Sequence, residues 1–271
     1  MGLEVQREIL TLMGERTSLR TDALAVEEPL EIRVNSQAIT TTMRTPGHDL
    51  ELTLGWLLGE GIIHGLEDVV SLELDAHEEN VVQVRLRDGL ESSVQPRQFS
   101  SGSACGVCGK TSLEQIQARG ATKISSQIRV DPRVLYGLPD ALREVQTTFE
   151  STGGLHAAAL FTLEGVLLAI REDVGRHNAV DKLIGFSSLE NLPLENSIML
   201  VSGRVGFEIA QKCVAAQVPI LAAVGAPSSL AVELALEFNL TLIGFLREER
   251  ANVYSGFERI ARDSVQNPKP L

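Results

Sequence analysis

Cysteine is scarce in this chain, with 3 in 271 residues. A small odd number excludes the paired disulfide framework of small secreted domains and fits a reducing compartment. Aromatic residues make up 4%, with a single tryptophan, so any core is built mainly from aliphatic side chains. Basic residues are outnumbered, 24 Lys and Arg against 36 Asp and Glu, for a formal net charge of −12. That field repels phosphate backbones and argues against nucleic acid as a partner. Long apolar runs are missing too. The stretch from Ile220 to Val224 is far too short to span a bilayer, so no membrane insertion is expected. Residues 1–20 mix charged and apolar side chains without the apolar centre of a signal peptide. They are expected to form an N-terminal extension or frayed arm, and the default location is cytoplasmic.

The chain is nevertheless long enough to bury a sizeable core as one large or two ordinary domains. Residues 21–130 read as mostly antiparallel β structure with one long helix. Leu30 to Val34 alternates, Asn35-Ser36 can turn, and Ala38 to Met43 is rich in β-branched residues. Thr45 is placed to cap a helix with Pro46 at its first position. Leu50, Leu54, Leu57 and Leu58 share one face of that helix, and Trp56 reads as core packing. Val69 to Leu74 and Val81 to Leu86 follow as strands.

Residues 131–271 change to α/β character. Leu138, Leu142, Val145 and Phe149 mark an amphipathic helix, and Ser151 to Gly154 breaks it. A hairpin turns at Glu164-Gly165. Beyond it, strands at Ile198–Val201, Pro219–Val224 and Leu240–Leu246 alternate with helices. This predicts a mixed sheet with helices on its faces. Ser202-Gly203-Arg204 and Gly225 to Ser228 fall where strands end and helices begin, the usual seat of phosphate groups.

The only Cys-x-x-Cys is Cys105-Gly106-Val107-Cys108, in a glycine-rich stretch ahead of a capping-box pattern at Thr111 to Glu114. A thiol at a helix start, with Lys110 nearby, is expected to favour thiolate. Three chemistries fit such a pair. Structural zinc needs four ligands, and His156 and His177 lack ligand spacing, so no permanently bound metal is expected. Dithiol exchange has the right motif but lacks the preceding βαβ pattern. Sulfur carriage needs an accessible thiolate to hold a persulfide and a second thiol to help release it. Composition does not separate the last two. His156 and the run Arg171 to Asn178 suit either a salt-bridge and capping network or an anion site, with Arg176 and His177 as donors. Cys213, mid-helix, reads as inert packing.

The chain resembles the FdhD family. The resemblance rests on Arg44-Thr45-Pro46-Gly47-His48-Asp49, on Cys105 to Lys110, on Thr152-Gly153-Gly154-Leu155-His156, on Glu172 to Lys182, and on Ser202-Gly203-Arg204. It implies a sulfurtransferase that takes persulfide sulfur from an L-cysteine desulfurase and passes it to Mo-bis(molybdopterin guanine dinucleotide) for formate dehydrogenase. That cofactor would be a client ligand with a GDP-like moiety, its metal molybdenum or tungsten. Cys105 would carry the sulfur with Cys108 assisting. The second domain would be a cytidine-deaminase-like, three-layer α/β unit binding the cofactor nucleotide, and the protein a homodimer. The cofactor-associated stretch falls on Phe245, Leu246, Arg247, Glu248, Glu249 and Arg250, where the arginines suit phosphates and the glutamates do not. A non-catalytic cofactor-insertion chaperone and a dithiol oxidoreductase are the alternatives.

Overall fold

The computed structural model describes residues 2–90 and 121–261. Cys105, Cys108 and the helix expected after them lie outside the described residues.

The expected frayed arm is instead a paired ribbon. β1 (Glu4–Met13) and β2 (Arg16–Ala25) run antiparallel in register from Glu4↔Ala25 to Met13↔Arg16. Gly14, at φ 61°, supplies the positive φ that a two-residue hairpin turn requires. The mixed charged and apolar composition is that of a ribbon exposed over most of both faces.

β3 (Glu28–Val34), β4 (Gln37–Arg44), β5 (Val69–Leu74) and β6 (Val81–Leu86) form a four-stranded sheet in the order β4-β3-β6-β5. Asn35 and Ser36 both sit at positive φ (49° and 67°), as the tight β3–β4 turn demands. One face of the sheet is covered by α1 (Asp49–Gly59), whose Leu52, Leu54 and Leu57 are fully buried with Leu30, Ile32 and Val82. Trp56 packs partly buried against this cluster, as expected. The helix does not start at Thr45-Pro46. Gly47 and His48 both take positive φ (89° and 59°), which delays α1 to Asp49 and frees Thr45 for other bonds.

The second unit begins with α2 (Pro132–Val145), where Asp131 accepts from Arg133 N and proline occupies the first turn. The expected amphipathic run then divides, with Phe149 falling in α3 (Thr147–Thr152). Next come β7 (His156–Phe161), β8 (Leu167–Asp173), α4 (Arg176–Leu189), β9 (Ile198–Val201), α5 (Phe207–Ala215), β10 (Ile220–Ala223), α6 (Ser229–Glu237), β11 (Thr241–Arg247) and β12 (Arg250–Ser255). The sheet order is β12-β11-β10-β9-β7-β8. β9, β10 and β11 are parallel; the outer pairings are antiparallel.

Alternation along the strands divides the core in two. Leu160, Met199 and Leu221 face α4, α5 and α6. Ala159, Leu200 and Ala222 face Leu135, Leu138 and Leu142 of α2. The result is three layers, as the resemblance implies. Each buried α2 leucine contributes about 2 kcal/mol of transfer free energy. Residues 124–130, ahead of the boundary expected at 131, bond to this second unit. Ile124 N donates to Phe238 O, and the buried Arg259 guanidinium donates to Ser126 O and Asn239 O.

The two units join through α1 and α4, which cross at glycines. A Cβ on Gly55 would overlap the carbonyl of Asp181, and one on Gly185 would overlap the carbonyl of Glu51.

Candidate functional site

The parallel strands β9 and β10 end side by side, and each breaks into a short turn before its helix. Ser202 to Gly206 leads to α5, and Val224 to Ser228 leads to α6. These turns are zipped together. Gly225 N donates to Gly203 O (3.2 Å), Val205 N to Ala226 O (3.1 Å) and Ser228 N to Val205 O (2.9 Å). Glycine is needed at 225 because a Cβ there would stand 2.7 Å from Gly203 O. Ser202 continues the pairing with β7, its Oγ accepting from Ala157 N at 3.0 Å.

β7 runs antiparallel to β9, so its first residue, His156, returns to this edge. A Cβ on Gly203 would lie 3.2 Å from His156 Nδ1 and 4.0 Å from Arg176 Cβ. His156, Arg176 and Gly203 therefore meet, although they are far apart in sequence. Arg176 opens α4, and Phe207, just after the Gly203 turn, opens α5. Both helices start at a glycine with no side-chain cap. Their free N–H groups add positive potential to the edge. Arg176 Nε is buried without a hydrogen-bond partner among the described residues. His177 Nε2 stands 3.4 Å from Glu208 Oε2 on α5. Burial, then the charges of Arg176, Lys212 and His156, push His177 down to about 4. Burial and Arg176 likewise lower His156, against the pull of Asp173. Both imidazoles are thus neutral at pH 7, beside an arginine.

Phe245 reaches the same edge from β11. Its N–H donates to Gly225 O (3.0 Å), and its φ is 53°, an uncommon and strained conformation for an aromatic residue. The break turns its ring outward, 37% exposed. Leu246 next to it is fully buried on the α2 side of the sheet. Within the expected stretch 245–250, Leu246 alone is buried, and the other five residues are exposed. Arg247, Glu248, Glu249 and Arg250 form the exposed β11–β12 turn beyond this edge, with Arg247 paired to Arg250.

A cavity of about 470 Å³ opens beside His156 and Ser202, with Arg143, Gln146, Phe149 and Gly154 on its other walls. A larger hollow of about 990 Å³ lies on the four-stranded sheet, lined by Glu73, Asp75 and Asp88 together with Arg85 and Arg87. Among the described residues no three His, Cys, Asp or Glu side chains are grouped to hold a metal ion.

The salt-bridge and capping network expected over Arg171 to Asn178 lies beside Arg176, and its link to Thr45 was not foreseen from sequence. Asp173, fully buried, accepts from Thr45 N (3.1 Å), Gly175 N (2.8 Å) and Asn178 Nδ2 (3.0 Å), and pairs with Lys182 Nζ at 2.7 Å. Lys182 also donates to Thr45 O, while Thr45 Oγ1 accepts from Val174 N. Asn178 Nδ2 donates to Met43 O. The β4–α1 turn is thereby bolted to the residues flanking Arg176. The available signal was Asp181-Lys182 inside an otherwise apolar helical run. A second buried pair, Lys212 and Asp181 at 2.6 Å, ties α5 to α4. Burial raises Asp181 to about 7, with Lys212 opposing.

The family model described as FdhD/NarQ matches residues 25–261. A sulfur carrier protein FdhD of Streptomyces avermitilis is 47% identical over 268 residues, covering 94% of this chain and 95% of its own. The protein of the same name from Mycolicibacterium paratuberculosis is 48% identical, covering 96% of this chain and all of its own length. That of Sulfurisphaera tokodaii is 44% identical, covering 95% and 100%. A crystal structure described as a formate dehydrogenase accessory protein from Desulfotalea psychrophila superposes with TM-score 0.78, covering 96% of this chain and 100% of that one. At 23% identity it speaks for the fold alone. With the family model spanning both units and relatives nearly half identical along almost the whole length, the chain belongs to the FdhD/NarQ family.

Proposed function

We propose that this chain is a sulfur carrier acting through a cysteine persulfide, serving the maturation of formate dehydrogenase. The names of its relatives support sulfur carriage in general. The observation that carries the reading further is the convergence of Arg176, His177 and the Ser202–Arg204 turn on one sheet edge with two uncapped helix starts. That edge suits the phosphates of a dinucleotide, and the neighbouring cavity has room for a heterocycle beside them. The ligand is then Mo-bis(molybdopterin guanine dinucleotide), met as substrate, with Phe245 and Arg247 at the rim.

The Cys105 thiolate attacks the terminal sulfur of a persulfide on an L-cysteine desulfurase. The donor's S–S bond breaks, its cysteine leaves as thiolate, and Cys105 holds the outer sulfur as Cys–S–SH. Direct transfer needs a nucleophilic atom of the cofactor to take the outer sulfur as Cys105 leaves as thiolate, with two electrons from the cofactor's reduced metal converting that sulfur to sulfide. Alternatively, Cys108 attacks the inner sulfur, releasing sulfide and leaving a Cys105–Cys108 disulfide that an external dithiol must reduce. The carrier works in the cytoplasm, as a homodimer.

Incubation with a cysteine desulfurase and L-cysteine is expected to add about 32 Da to Cys105 or Cys108, one sulfur atom. Cys105→Ala should abolish formate dehydrogenase maturation without unfolding the protein. No adduct on either thiol overturns the persulfide step. Retained maturation by the Cys105→Ala, Cys108→Ala double variant would favour a cofactor-insertion chaperone. Catalysed insulin reduction would favour a dithiol oxidoreductase.

A further inference from the structure

The His156 imidazole makes no hydrogen bond among the described residues, although it lines the cavity and is half-buried. Its ring and Arg176 flank the same glycine, Gly203, where a Cβ would stand 3.2 Å from His156 Nδ1, so glycine lets the turn approach the ring closely. We propose that His156 is a proton-accepting positioning residue. Its imidazole is neutral without ligand and becomes imidazolium when a phosphate-bearing ligand seats against it from the cavity side, near Arg176. This rests on reading the edge as an anion site.

The surrounding charges favour the switch. In the empty site, burial and Arg176 hold His156 below its ordinary value, and Asp173 of β8 opposes them. The other groups near the ring are His177 of α4, and Asp140 and Arg143 of α2 across the cavity. Glu208 and Lys212 of α5 act on it through His177. A phosphate arriving here offsets the Arg176 charge and adds negative charge within hydrogen-bond reach of an unengaged ring nitrogen. Both effects favour the imidazolium. His177 stays neutral, because it is more deeply buried and the charges of Arg176 and Lys212 hold it down. The proton comes from solvent and returns there when the ligand leaves. The complex therefore holds more protons than the empty protein, and affinity rises as pH falls.

The test uses the full-length protein with guanosine diphosphate as probe. The ionisation of the probe's own phosphate runs in the opposite sense, so the imidazole is read directly from His156 ring resonances in an NMR pH titration. The expected result is a His156 pKa raised by about one unit or more with the probe bound. His156→Gln should weaken binding about tenfold at about pH 6 and by less than about twofold at about pH 8. An unchanged His156 pKa while the probe is bound overturns this inference and leaves the anion site standing. Failure of the probe to bind overturns both.

Discussion

Cys213 is buried without exposure against Met199, its sulfur 3.6 Å from the thioether, and burial pushes its thiol up to about 12. Iodoacetamide at about pH 8 is therefore expected to leave Cys213 unlabelled in the folded protein and to label it in denaturant, read by peptide mass. Labelling in the native state would contradict this packing. Phe245 shows the opposite economy, an exposed ring held in a strained backbone. Phe245→Gly relieves the positive φ but gives up the covered part of a ring that is only 37% exposed. A net loss of about 2 kcal/mol is expected by urea denaturation, together with weaker guanosine diphosphate binding. Arg176, His177 and the Ser202–Arg204 turn were legible because strand-to-helix junctions carry a local signature. The burial of Leu246 was not legible, because the positive φ at Phe245 breaks the alternation and sets Leu246 in the same cluster as Ile243.

The α1–α4 crossing depends on backbone contact at Gly55 and Gly185. Replacing either by alanine pushes a methyl group into a carbonyl on the facing helix. Each is expected to cost about 3 kcal/mol, seen as a lowered urea midpoint. A change below about 0.5 kcal/mol would mean that the helices part without penalty. The crossing also carries a titrating pair. Burial of Glu51 favours its neutral form, but hydrogen bonds from His48 and Arg171 outweigh it and hold the carboxyl at about 2, below its ordinary 4.5. A depressed carboxylate contributes its full stability above about 4.5 and loses it as pH falls through about 2. The stability gap between wild type and Arg171→Met should accordingly shrink across that window, followed by denaturant titration at each pH. The strands at 69–74 and 81–86 were visible by alternation. The start of α1 was not, because Gly47 and His48 adopt positive φ where Thr45-Pro46 offers an ordinary helix opening.

Across the molecule, the blocks around residues 44–49 and 172–182 are one object, the joint between the units. Lys182→Met leaves Asp173 buried with its charge uncompensated. The expected loss is about 4 kcal/mol, accompanied by weaker guanosine diphosphate binding, because Arg176 loses its support. Loss of stability with unchanged binding would separate the joint from the site.

Periodicity along the chain was enough for the strand and helix order of the second unit, for its layered class and for the edge where an anion could sit, because those follow from which neighbours alternate. The ribbon at the N-terminus, the pairing of Thr45 with Asp173 and the meeting of His156 with Arg176 needed the folded chain. Their partners lie many residues apart, and buried polar groups are satisfied by whatever packing brings within 3 Å, which no local pattern encodes.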